Sequence, residues 1–281
     1  MVMLVMLHPV IVASKTRDTP DDFRDDFRGD GMSFRRLNAR SLALSALLGT
    51  HPPVLPARSL VALAELFGIA GGTMRTALSR MAAQGEIRAV DGRYHLAGRL
   101  LERQQTQDIG RRPPDPAWDG RWHTVVAADD QRDVTDRRRF RVTLTDHRFG
   151  ELRPDTWLRP ANLPAPDLGP TAIVVTGTLD RAVEPALVAR LWDLASLADT
   201  AQHLVNRIDR HCAGTDLTAP ASIPATFTLS AAIVRFLRSE PLLPSPLTPA
   251  DWPVDQLRHR YDDLERDLQT TLRGFLRSAR G

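Results

Sequence analysis

The sequence has almost no cysteine and no long apolar run. Cys212 is the only cysteine in 281 residues, which excludes an intramolecular disulfide framework and fits a reducing compartment. No uninterrupted apolar run approaches the roughly 20 residues that span a bilayer. The sequence also lacks a nucleophile elbow, a phosphate-binding loop and a dinucleotide-binding glycine motif. A disulfide-rich fold is therefore excluded, and a membrane span or a common enzyme class has no motif to support it.

Positive charge is present, but it is concentrated in one part of the chain. The formal net charge is only +3, and Lys15 is the only lysine. Residues 33–112 contain twelve arginines and five acidic residues, a net charge of +7. Phosphate neutralisation requires such a local excess, so nucleic acid is the first partner to consider.

A helix-turn-helix pattern followed by a β-hairpin lies inside this basic segment. The apolar residues of the first helix recur at helical spacing: Leu60, Leu63, Ala64 and Phe67. Those of the second helix form one buried stripe: Met74, Ala77, Leu78 and Met81. Gly68 and Gly85 end the two helices. Residues Glu86–Val90 and Arg93–Ala97, joined by an Asp-Gly turn, then predict a hairpin.

The second helix carries a polar and basic face opposite its apolar stripe. Its candidate DNA-binding residues are Thr73, Arg75, Thr76, Ser79 and Arg80. A helix with this face suits the major groove, where arginine contacts a guanine edge or a phosphate. The pattern leaves both contacts open for Arg75 and Arg80. Arg88 and Arg93 flank the hairpin turn, where we expect phosphate or minor-groove contacts.

Changes in composition divide the chain into four regions. We predict a disordered leader over 1–32, a winged-helix DNA-binding domain over 33–112, a middle domain over 118–182 and a helical C-terminal domain over 183–281. The leader is polar apart from its first twelve residues, and Met32 is an alternative first residue. A short helix over 98–109, anchored by Leu100 and Leu101, and a proline-rich linker close the DNA-binding domain.

The middle region predicts a small α+β fold. Its expected order is a strand at Trp122–Ala128, a helix over 135–148, and strands at Glu151–Arg159 and Ala172–Gly177. This order is typical of a ferredoxin-like sandwich, with the proline-rich stretch 160–170 as a surface loop.

The last region predicts three helices. One runs from Glu184 to about Arg210, a second covers 226–238 and a third covers 254–279. The third has a heptad seam: Val254, Leu257, Tyr261, Leu264 and Leu268. Such a seam packs within the domain or onto a second subunit, and the sequence favours internal packing because two to three heptads are marginal alone.

Four blocks of the chain resemble the PaaX family, the bacterial repressors of phenylacetic acid catabolism and their paralogues. The blocks are GTMRTALSRMAAQGEIRAVDGRYHLAG (72–98), WDGRW (118–122), RRRFRVTLTDHRFGELRPDTWLRP (137–160) and ADWPVDQLRHRYDDL (250–264). The resemblance covers roughly residues 34–275. It implies an α+β multidomain protein with a winged helix-turn-helix, a Cas2-like ferredoxin-like domain and a helical C-terminal domain. It also implies a cytoplasmic homodimer that leaves its operator DNA on binding an acyl-CoA thioester, typically phenylacetyl-CoA.

An aryl-CoA effector requires an apolar pocket for the ring and arginines for the phosphates. Trp157, Arg159 and Trp192, near the junction of the last two regions, are the candidate effector-binding residues. We expect no cofactor, no metal and no catalytic residue.

Two other functions remain open at this point. The acidic patch from Asp129 to Asp136 is an alternative metal site, because clustered carboxylates favour hard cations. It would make the middle domain a metal-dependent Cas2-like nuclease, although the same patch fits a solvated charge network with neighbouring arginines. The other alternative is an architectural winged-helix protein without an effector.

Overall fold

A computed structural model describes residues 37–111, 118–128, 132–180 and 184–278. The predicted leader, most of the linker, and Asp129 and Asp130 of the acidic patch lie outside these ranges. Within them the chain forms a mixed α+β structure with two antiparallel sheets.

The basic region folds into three helices and a three-stranded sheet. Its elements are α1 (Ala39–Leu48), β1 (Val54–Pro56), α2 (Ala57–Leu66), α3 (Gly71–Ala83), β2 (Ile87–Val90) and β3 (Arg93–Leu96). The strand order is β1-β3-β2. The Asn38 side chain caps α1 by accepting a hydrogen bond from the Ser41 amide at 2.9 Å. Asp91 and Gly92 both have positive φ, as a two-residue hairpin turn requires, so the predicted hairpin is present.

Helix α4 (Arg99–Arg111) follows the hairpin at the predicted place, but Leu101 does not anchor it. Leu100 packs against the apolar core, whereas Leu101 is 41% exposed. The buried face of α4 consists of Gln104, Gln107 and Gly110. Gln104 Nε2 donates to the carbonyls of Leu48 and Thr50, at 2.9 and 3.1 Å, and so caps the end of α1.

The middle sheet has one more strand than predicted. Its elements are β4 (Arg121–Ala127), α5 (Val134–Asp146), β5 (Gly150–Arg153), β6 (Thr156–Pro160) and β7 (Ala172–Thr178). The strand predicted over Glu151–Arg159 is wrong as a single element, because Asp155 at φ 65° turns the chain between β5 and β6. The order β5-β6-β4-β7 places β6 between the two strands that α5 connects, which is the split βαβ arrangement.

The last region contains four helices among its described residues. They are α6 (Glu184–Leu191), α7 (Leu194–Gly214), α8 (Ile223–Ser239) and α9 (Pro253–Ser278). The single helix predicted from Glu184 is wrong, because the chain breaks after Leu191 and Asp193 starts a new helix. The Asp193 carboxylate accepts a hydrogen bond from the Ser196 amide at 3.0 Å, which is an N-cap.

The heptad seam of α9 packs inside the chain. All five of its seam residues are at most 4% exposed, and α9 packs against α7 and α8. Leu268 shares one apolar cluster with α1, α2 and α3, as do Ile223 and Phe227 of α8. The Phe67 and Phe227 rings meet edge to face at 5.7 Å. The C-terminal helices therefore complete the core of the basic region.

One stretch, Pro220–Ser239, is long and apolar enough to cross a membrane by length and composition alone. More than half of its most apolar window is buried inside the protein. It contains α8, which packs against α4, α7 and α9, so its apolar character is explained by its place in the core.

Helices α4 and α8 approach each other at Gly110. A Cβ atom on Gly110 would lie 2.5 Å from the Leu237 carbonyl oxygen and 2.8 Å from Arg148 Nη2. We expect Gly110→Ala to lower the free energy of unfolding by about 1–3 kcal/mol, because the backbone oxygen cannot move away freely. Urea denaturation measures the change.

Gly274→Ala in α9 is the matched control, since nothing lies within 4 Å of its added Cβ. We expect this control to stabilise the protein by about 0.4–1 kcal/mol. Equal effects at the two positions would show that the α4–α8 contact is not sterically tight.

Candidate nucleic-acid interface

Helix α3 presents one face to the protein and the other to solvent. Met74, Leu78 and Met81 are at most 1% exposed, and Ala77 is half-buried, as the stripe predicts. Gly68, at φ 69°, ends the preceding helix and allows the sharp turn into α3. Three fully buried side chains therefore fix the orientation of the outer face.

All five polar residues predicted on α3 are exposed: Thr73, Arg75, Thr76, Ser79 and Arg80. Thr76 Oγ1 donates to the Gly72 carbonyl at 3.0 Å, so this hydroxyl is partly engaged by its own helix. Arg75 and Arg80 form no ion pair with another described residue. Two exposed guanidinium groups, one at each edge of the outer surface of α3, are thus available to an external anion.

The hairpin also has one buried and one outward face. Ile87 and Leu96 are 2% and 3% exposed and belong to the core. Cross-strand pairs place Arg88 opposite His95 and Val90 opposite Arg93 on the other face. Arg88 and Arg93 are exposed there, as predicted.

Sequence reasoning missed an ion pair at the base of the hairpin. The Arg40 guanidinium in α1 forms a bidentate contact with the Glu86 carboxylate, just before β2. This hydrogen bond raises the pKa of Arg40. The pair joins residues 46 positions apart, so no local pattern could indicate it. The pair links the hairpin to α1. The Glu86 carboxylate also neutralises the charge of one arginine in the basic region.

The three candidate effector residues do not come together. Trp157 belongs to an apolar cluster with Val125, Leu144 and Phe149. Trp192 packs near Trp122 and Leu158 in a different cluster. Because Trp157 and Leu158 are adjacent on β6, their side chains point to opposite faces of the sheet. Trp157 and Arg159 therefore share the face that α5 covers, and Trp192 lies against the other.

Arg159 is a buried cation held by backbone carbonyls and a ring. Its Nη2 donates to the carbonyls of Leu163 and Pro164, at 3.2 and 2.5 Å, and its guanidinium lies 4.9 Å from the Phe149 ring centroid. Burial and the nearby charge of Arg148 lower the pKa of Arg159 to about 10. His123 Nε2 also donates to the Leu163 carbonyl, at 3.0 Å, and burial lowers the pKa of His123.

A buried ionic network joins the three regions of the chain. Arg258 Nη2 in α9 contacts Glu240 Oε2 at 2.5 Å, and Arg258 Nε donates to the Gly110 carbonyl at 3.4 Å. Arg148, after α5, donates to the carbonyls of Glu240, Leu237 and Thr106. Burial raises the pKa of Glu240, and the two arginines oppose that shift. The members of this network come from separate elements, so no spacing in the sequence indicates that they meet.

The alternative metal site finds no support among the described residues. Asp129 and Asp130 lie outside them. Asp133 Oδ1 accepts a hydrogen bond from the Asp136 amide at 2.8 Å and so caps α5. Asp136 lies 3.6 Å from Arg139 Nη1. No group of three or more His, Cys, Asp or Glu residues in the described ranges is placed to hold a metal ion.

Two family profiles match the chain in the order of its regions. Residues 38–100 match the profile described as PaaX-like protein, and residues 115–166 match the PaaX protein central Cas2-like domain. The chain belongs to the PaaX family, whose members are transcriptional regulators that bind DNA.

A solved structure of similar sequence covers nearly the same length. It is the protein Rv0674 of Mycobacterium tuberculosis, which is 35% identical, with a TM-score of 0.66 over 85% of this chain and 98% of that one. None of the curated proteins matches the chain.

Proposed function

We propose that this protein is a transcriptional repressor that binds operator DNA through a winged helix-turn-helix. In this interpretation α2 and α3 are the helix-turn-helix, α3 is the recognition helix, and the β2–β3 hairpin is the wing. The exposed Arg75 and Arg80 on α3, without ion-pair partners among the described residues, are the observation that carries the proposal. The buried methionines beneath them hold the helix in one orientation.

The contacts proposed for each residue follow from its position. Arg75 and Arg80 contact guanine edges or phosphates in the major groove, and Thr73, Thr76 and Ser79 contact phosphates or bases. Arg88 and Arg93 on the wing contact phosphates or the minor groove. A cytoplasmic homodimer would place two α3 helices in successive major grooves of an inverted repeat.

Release from DNA would follow from binding an aryl- or acyl-CoA thioester such as phenylacetyl-CoA. The effector needs only to bind more tightly to the dimer geometry that no longer matches the operator. A tenfold preference shifts this equilibrium by about 1.4 kcal/mol. Family membership supports this proposal, and the context it gives is phenylacetic acid catabolism.

The test is DNA binding by Arg75→Ala and Arg80→Ala. We expect each substitution to weaken binding to a selected operator by about 1–3 kcal/mol if the arginine reads a base. An arginine that contacts only phosphate should weaken binding to all sequences alike and reduce the salt slope by about one. Fluorescence anisotropy on a duplex selected from a random pool, at several salt concentrations, separates the two results.

Arg210→Ala, an exposed arginine on α7, is the matched control and should leave DNA affinity within about 0.5 kcal/mol. Unchanged DNA affinity in both α3 variants would show that this helix is not part of the DNA interface.

A further inference from the structure

Arg159 differs from the other buried arginines because it has no counter-charge nearby among the described residues. Within the described ranges three arginines are buried: Arg148, Arg159 and Arg258. Arg258 forms an ion pair with Glu240, and Arg148 lies in the field of the same carboxylate. Arg159 has no carboxylate within ion-pair distance among the described residues, and its Nε has no hydrogen-bond partner. Burial of a charge without a counter-charge costs several kcal/mol, so this arrangement needs an explanation.

The surroundings of Arg159 are suited to an anion with an apolar part. The Phe149 ring lies on its guanidinium, and Trp157 is two residues earlier on the same face of β6. The other nearby titratable groups are cationic or neutral: Arg148, His123 and His147. What faces the guanidinium is the pair of carbonyls of Leu163 and Pro164, which are neutral acceptors.

We propose that Arg159 binds a carboxylate or phosphate group of the regulator's ligand, in the place that the carbonyls of Leu163 and Pro164 occupy in this structure. This inference rests on the proposed effector and gives it a location. The site includes Trp157 and Phe149 and excludes Trp192, which packs on the opposite face of the sheet. An anion would supply the counter-charge that the two neutral carbonyls lack, and this attraction would offset the cost of displacing them.

The segment that the ligand displaces is connected to the helix that follows the wing. Asn162 Nδ2 donates to the Leu242 carbonyl at 2.7 Å, and the Leu242 amide donates to Glu240 Oε1 at 3.0 Å. Glu240 in turn holds Arg258, whose Nε donates to the Gly110 carbonyl of α4. Four consecutive polar contacts therefore connect residues 161–164 to α4. A contiguous path establishes a route, and a coupling measurement is needed to show that it is used.

Titration calorimetry on the full chain tests the site with three probes: phenylacetyl-CoA, coenzyme A and phenylacetate. Whichever of these probes the wild type binds, we expect Arg159→Met to bind it about tenfold more weakly, or weaker still. Loss of phenylacetate affinity would identify a carboxylate ligand, and loss of coenzyme A affinity would identify a phosphate. Arg153→Met, an exposed arginine on the neighbouring strand, should stay within about twofold. Unchanged affinity in Arg159→Met would overturn the proposal.

A purely structural role for Arg159 gives a different result. It would lower the thermal midpoint of the variant and leave its probe affinity unchanged, whereas we expect the affinity to fall even where the midpoint is kept. If Arg159→Met does not fold, hydrogen exchange on the wild type decides: a bound probe must alter the protection of residues 161–168. Unaltered protection there would count against the site.

Coupling is tested with Asn162→Ala. We expect this variant to bind the probe but to need about fivefold more of it to release DNA, because the link to Leu242 is cut. An unchanged release curve would refute the proposed route. Wild-type protein that binds DNA but none of the three probes would overturn this inference alone. A probe bound through Arg159 by a protein that binds no DNA would overturn the proposed function alone.

Discussion

Replacing Arg258 by methionine is expected to lower the free energy of unfolding by about 3–5 kcal/mol. Arg258 is 5% exposed and Glu240 is 1% exposed, so the substitution leaves a carboxylate buried without its closest counter-charge. It also removes the donors to Asp255 and to the Gly110 carbonyl. Urea denaturation followed by circular dichroism measures the change.

Two controls isolate the charge effect. The double variant Glu240→Leu with Arg258→Met should regain a large part of the loss, because it removes the buried carboxylate as well. Arg260→Met, on the exposed side of α9, should change stability by less than about 1 kcal/mol, as its pair with Asp209 is solvent-exposed. A loss below about 1 kcal/mol for Arg258→Met would contradict this prediction, because it would show that the Glu240 carboxyl does not need the charge of Arg258.

Trp122→Ala is expected to destabilise the protein by about 3–5 kcal/mol. Trp122 is 1% exposed and packs with Leu158, Val188 and Leu243, which come from the sheet, α6 and the α8–α9 connection. Its Nε1 also donates to Glu184 Oε1 at 3.2 Å. The cavity that the substitution leaves therefore lies where three parts of the chain meet. Its neighbours are held by separate elements and cannot move in to fill it. Equilibrium denaturation in urea gives the value.

Ile173→Ala is the control for apolar truncation on the same sheet. Ile173 is 57% exposed on β7, so its truncation should change stability by no more than about 0.5 kcal/mol. If the two variants lost similar stability, the cluster around Trp122 would not be a packed core.

The elements that the sequence predicts well are those with local signals. The buried stripe of α3 follows from residues spaced three and four apart, and the hairpin follows from the Asp91-Gly92 pair. The two wrong elements contain local signals for the breaks that the structure shows. Pro154-Asp155 is a turn sequence inside the predicted strand, and Asp193 is a good N-cap inside the predicted helix.

The rest of the candidate site depends on contacts that no local pattern encodes. Whether Trp157 and Trp192 share a pocket depends on which face of β6 each one meets, and that requires the strand register and the packing of α6. The Arg148, Glu240 and Arg258 network requires three helices and a loop to be placed first. Such arrangements follow from tertiary packing, which overrides local preference.

The shared core beneath the proposed recognition helix has a consequence for dissecting the protein. Ile223, Phe227 and Leu268 belong to the same apolar cluster as the buried residues of α1, α2 and α3, and the Phe227 ring contacts Phe67. An amino-terminal fragment expressed alone would expose this apolar surface to water, and we expect it to self-associate. The proposed DNA-binding region and the C-terminal helices share one apolar core, so we expect neither to keep its fold when it is expressed without the other.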